Sequence, residues 1–166
     1  HTLYPAQLEL FARVPDTIEF VEPVHLAPVH FEAELANLSA IVLSDGYYEF
    51  IHEQVRDLQG ITCLEEVGQI PLKAKAWLNL TTRRENGEDV RSRDIRKHRN
   101  DILRLSQLFN VEMYHELPDV VRNDLQKFLE AVEPDLTDDL LRQLFVDDTP
   151  HGVMSLLRNV FTRVSE

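Results

Sequence analysis

At Ser44 the hydrophobic period of the chain changes from two residues to the wider spacing of a helix. In the stretch YPAQLELFARV, Leu8, Leu10 and Ala12 alternate with Gln7, Glu9, Phe11 and Arg13, the pattern of a strand with two different faces. TIEFVEP and VHLAPVHF are two further short runs of β character, broken at Pro15, Pro23 and Pro28, and LSAIVLS over 38–44 is a fourth. Strands first and helices afterwards imply an α+β chain rather than alternating βαβ units. The expected architecture is a small mixed or antiparallel sheet in the N-terminal third, followed by a mostly helical two-thirds. An α+β region over 1–110 would carry a helical tail, 111–166, packed on it.

Beyond the switch, Ser44 is placed to cap a helix with Tyr47, Phe50, Ile51 and Val55 on one side. GITCLEEV reads as a short strand running into a turn of helix. IPLKAKAWLNLTTRR opens with Pro71 at a first-turn position and continues in good helix formers. RENGEDV is a loop around Asn86-Gly87. Ser92 caps the next helix, with Asp94 in its first turn and Ile95, Ile102, Leu105 and Phe109 on one stripe. Three more helices are expected: Pro118 to about Ala131, Thr137 to Phe145, and Thr149-Pro150 to Val164.

Several chemistries are excluded outright. The glycines, at 46, 60, 68, 87 and 152, never fall closer than eight residues apart, so neither a P-loop nor a dinucleotide G-x-G-x-x-G exists. HEQVR over 52–56 has Arg56 where a zinc protease would need its second histidine, and no G-x-S-x-G elbow occurs. HFE over 30–32 lacks the P-C-x-x-C half of a deaminase site. The single Cys63 makes neither an intrachain disulfide nor a cysteine zinc site, which fits a reducing compartment. Apolar runs fall far short of the roughly 20 residues that span a bilayer, and HTLYPAQLEL has no leader pattern. A cytoplasmic protein without a membrane segment is expected, and the absence of an initiator Met suggests a fragment.

Charge is distributed unevenly. Residues 73–104 hold ten Lys or Arg against five Asp or Glu, about +5, in a chain whose formal net charge is −12. The stretch RSRDIRKHRNDILRL is its centre. There Asp94, Lys97, His98 and Asp101 fall at i, i+3, i+4 and i+7, which gathers them on one helix face beside the Ile95/Ile102 stripe. That face is either an exposed, ion-paired flank or a polar cluster with a ligand. Lys73 and Lys75 sit within about a turn of Trp77; they either snorkel to water or neutralise phosphate at the mouth of a site. Glu9, in mid-strand opposite Leu8 and Leu10, faces water or faces a site, and Mg²⁺ takes such oxygen ligands.

The run IPLKAKAWLNLTTRRENGEDVRSRDIRKHRNDILRLSQLF resembles the nucleotidyltransferase-fold proteins of the AbiEii/AbiGii toxin type, which carry a run similar to PxKAKAWLxLxxRKxxGxxVxSxDIKKHxNDxxRL. YPAQLELFAR, LSAIVLSDGYYEFI and LPDVVRNDLQKFLEAV resemble other segments of that family. The resemblance implies a nucleotidyltransferase fold that transfers a nucleotidyl group from an NTP to an RNA or protein hydroxyl with Mg²⁺. Such proteins belong to toxin–antitoxin or phage-defence systems. It makes Glu9 the candidate catalytic and metal-binding carboxylate, Lys73, Lys75 and Lys97 the nucleotide-binding residues, and Asp94, His98 and Asp101 a supporting polar cluster. No D-x-D triplet and no Gly-Gly or Gly-Ser pair occur in the sequence. What is implied is therefore the C-terminal portion of such a protein, inactive by itself, with an antitoxin or RNA as partner. A sheet edge left open would favour a homodimer. The competing expectation is a non-catalytic protein-interaction domain that keeps the fold.

Overall fold

The computed structural model describes residues 7–13, 26–29 and 37–163, with side chains from Leu43 onward. It is an α+β chain whose described residues form two compact units, divided between Glu49 and Phe50.

The first unit holds a three-stranded sheet of β1 (Gln7–Arg13), β2 (Leu26–Val29) and β3 (Asn37–Leu43) in the order β1-β3-β2. β1 runs parallel to β3, with Gln7 opposite Asn37 and Arg13 opposite Leu43, while β2 is antiparallel to it from Leu26 opposite Ile41 to Val29 opposite Leu38. The sheet is therefore mixed. Among the described residues β2 is an edge strand, and an edge tolerates Pro28, a residue without an N–H. The run TIEFVEP, read from the sequence as a further strand, lies outside the described residues.

Helix α1 (Asp45–Glu53) follows Ser44, whose carbonyl accepts from the Tyr48 amide at 2.8 Å. Tyr47, Phe50 and Ile51 are all buried, as the helical spacing requires. Val55 leaves the stripe: it opens β4 (Val55–Leu58), which pairs antiparallel with β5 (Ile61–Leu64). Gln59 and Gly60 join these strands with φ of +57° and +84°, the two left-handed residues of a type I′ turn. The Asp57 carboxylate accepts from the Gly60 amide at 2.8 Å and fixes that turn.

Helix α2 (Glu66–Glu85) starts earlier than Pro71 suggested, so the proline lies inside it and Val67 loses the amide it would otherwise receive. Gly68 lets the helix approach the hairpin, since a Cβ there would sit 2.6 Å from Leu64 Cδ1 and 2.9 Å from Gln54 Cβ. The helix stops in a Schellman motif: the Glu88 amide donates to the Arg83 carbonyl and the Gly87 amide to Arg84, with Gly87 at φ +87°. The chain then turns back into α3 (Ser92–Leu105), which buries Ile95, Ile102 and Leu103.

The remaining helices are α4 (Asp119–Val132), α5 (Asp138–Gln143) and α6 (Pro150–Phe161). Thr137 and Thr149 cap α5 and α6, their hydroxyls accepting from the Leu140 and Gly152 amides. Helix α2 lies between α3 and α4 and packs on both. On the α4 side Trp77 meets Phe128 edge-on at 5.3 Å, and α4 also buries Val121, Leu125 and Leu129. Among the described residues no helix is long and apolar enough to cross a membrane.

Candidate functional site

The basic segment resolves into two polar junctions on opposite flanks of α2. Lys73 and Lys75 are two positions apart, so their side chains leave the helix about 200° from each other. Lys73 turns toward α3, where its ammonium donates to Asp101 Oδ2 at 3.0 Å. Lys75 turns toward α4 and donates to Asp124 Oδ2, also at 3.0 Å. The two lysines named together by the sequence are thus not brought to one place.

The α3 junction gathers the face read from the i, i+3, i+4, i+7 spacing. Asp101 also lies 3.6 Å from the Arg104 guanidinium, and Asp94 lies 3.5 Å from Arg93. His98 sits between them with its Nδ1 buried and without a hydrogen-bond partner among the described residues. Burial pushes its pKa below 6.5, and the nearby charges of Lys73 and Lys97 push the same way against a weaker opposing pull from Asp101 and Asp94. A neutral imidazole at neutral pH follows. Lys97 is exposed, and no carboxylate of the described residues lies within ion-pair distance of it.

The α4 junction is more enclosed. Asp124 is the one buried charged residue among the described residues, and its second oxygen lies 3.7 Å from Lys127. Sequence reasoning missed it, although a signal existed. Asp124 interrupts the apolar series Val121, Leu125, Phe128 and Leu129 on the buried face of α4, and an acid there needs a cationic partner.

Glu9 is placed only by its backbone, on β1 opposite Ser39; its side chain lies outside the described residues, as do His25 and His30. His115 is half-buried and stacks on Phe161 at 5.9 Å, which accounts for it structurally. Among the described residues no three His, Cys, Asp or Glu side chains gather in a group able to hold a metal ion. The carboxylates of the α3 junction each face a cation already, which leaves them poor ligands for a divalent metal. No family model matches the chain, and neither a curated protein nor a solved structure matches it.

Proposed function

We propose that this chain is the C-terminal part of a nucleotidyltransferase-like protein, in which the junction of α2 and α3 receives the phosphates of a nucleoside triphosphate. The observation that supports this reading is that the charges of Lys73 and Lys97 both act on His98, with Asp101 holding Lys73 in place. An ammonium held in place beside a neutral imidazole, with a second ammonium free to swing in, would receive an anion. Lys75 takes no part, because Asp124 holds it on the other flank. The Mg²⁺ that the resemblance implies would draw its ligands from Glu9 and from a D-x-D segment that residues 1–166 do not contain. Nucleotidyl transfer to an RNA or protein hydroxyl would require that segment.

Calorimetric titration with Mg-ATP tests the reading. The chain alone should give no measurable heat, and a longer version carrying the D-x-D segment should bind. In that longer version Lys73→Ala and Glu9→Ala should weaken binding, while Lys75→Ala should not. Unchanged affinity in Lys73→Ala would remove the α2/α3 junction from the site. A second reading, a non-catalytic protein-interaction domain, is favoured by a different observation: Phe145, in the turn that ends α5, is 88% exposed.

A further inference from the structure

Phe145 occupies a position that chain geometry assigns to glycine. Helix α5 ends in the same hydrogen-bond pattern as α2: the Val146 amide donates to the Leu141 carbonyl and the Phe145 amide to Arg142. Phe145 therefore stands where Gly87 stands in the other motif, at φ +58°. A bulky residue in the left-handed region is destabilising relative to glycine, and a phenyl ring left 88% exposed returns little in burial. Val146 and Leu141 already supply the apolar contact that closes the motif, since both are buried. The ring thus contributes nothing to the fold that glycine would not provide better.

The neighbourhood repeats this arrangement. The Asp147 amide donates to Gln107 Oε1 at 3.4 Å, which sets the turn carrying Phe145 beside the segment that follows α3. In that segment Leu108 is 58% exposed and Val111 72%, yet the Val111 backbone is fixed by a 2.8 Å hydrogen bond from Asn159 Nδ2. These are apolar side chains turned outward from a pinned main chain, and a preorganised surface loses little entropy when covered. A hollow that includes Val146, the residue after Phe145, is lined by Asp138, Asp147 and Asp148 together with Arg142 and Thr149. From 135 to 148 the chain holds five aspartates against Arg142 alone, and Arg142 is engaged by Asp139.

We propose that Phe145, Leu108 and Val111 form a docking surface for a basic, amphipathic segment of another protein. The apolar anchor of that segment would cover Phe145 while its lysines or arginines enter the aspartate-lined hollow. Charge complementarity selects this occupant: an acidic rim around apolar anchors repels an acidic partner and attracts a cationic one. The inference uses no residue of the nucleotide reading, so the two succeed or fail separately.

Fluorescence anisotropy with two labelled helical peptides tests it, one with leucine along one face and lysine elsewhere, the other with every lysine replaced by glutamate. The lysine peptide should bind the full chain, weaken as salt is raised, and lose about 30-fold in affinity with Phe145→Gly, the loss of an anchoring aromatic. Val111→Ser, which replaces an exposed apolar side chain with a polar one, should weaken it less. Phe145→Gly should also raise Tm, because it relieves the left-handed backbone; a structural phenylalanine would lower it. Equal binding of both peptides, no binding of either, or a fall in Tm with Phe145→Gly would each overturn the proposal. So would self-association of the wild-type chain that Phe145→Gly abolishes, since the occupant would then be a second copy.

Discussion

The junction between Lys75 and Asp124 should behave as a clamp between α2 and α4 whose halves are costly apart and dispensable together. At the 3.0 Å separation observed, an effective dielectric near 20 gives roughly 5 kcal/mol of attraction. Desolvation cancels much of this, because the side chains of Lys75 and Asp124 keep only 20% and 11% of their exposure. Losing either partner alone should cost about 2–3 kcal/mol, the range of a hydrogen bond to a charged group. Lys75→Met should lie at the lower end, since Lys127 at 3.7 Å remains beside Asp124. Asp124→Leu should lie at the upper end, leaving a lysine in an apolar joint. The double variant should return to within about 1 kcal/mol of wild type, an apolar pair replacing an ionic one. Urea unfolding is the assay, followed by circular dichroism and by the emission of Trp77, which packs on Phe128 within the same joint. A coupling energy below about 0.5 kcal/mol across the four proteins would refute the argument and reduce the pair to a screened surface contact.

Two further outcomes follow from the same packing. His98 has its folded-state pKa depressed, so it binds a proton more readily in the unfolded chain; stability present above pH 6.5 should be lost as pH falls through the folded value, and His98→Gln should flatten that loss. An NMR titration placing His98 at or above 6.5 would contradict it. Gly68→Ala should lower stability by about 1–2 kcal/mol through overpacking, reversing the usual gain for that change in a helix. Its cause is the close approach of Leu64 and Gln54 to the glycine. A higher Tm in that variant would show that the hairpin shifts aside freely.

What the sequence conveyed was mostly local. The change of period at Ser44 marks where strands give way to α1, and Thr137, Thr149 and Gly87 mark helix ends because each acts on amides a few residues away. β5 was legible at the start of GITCLEEV, but its partner β4 escaped because the turn between them is Gln-Gly rather than Asn-Gly and because β4 is exposed along its whole length, leaving no alternation to read. Pro71 misled because a proline at the start of a helix and one tolerated a turn later look alike in sequence. The face holding Asp94, Lys97, His98 and Asp101 was legible from spacing, but its union with Lys73 was not. That contact joins residues 28 apart and depends on how α2 and α3 pack. Likewise, nothing along the chain distinguishes Lys73 from Lys75 until their partners on different helices are known. Phe145 carried no signal at all, since its unusual character lies in a backbone angle.

The middle position of β3 bears on how the protein can be trimmed. It is bonded on one side by residues 7–13 and on the other by 26–29. Deleting the first 13 residues would strip one side and leave a seam of unmatched amides and carbonyls open to neighbouring molecules, a recipe for precipitation. A cut just past Leu43 removes β1, β2 and β3 together, and none of the other described strands is bonded to them. Shortened versions for spectroscopy should therefore begin there, and never between 14 and 37.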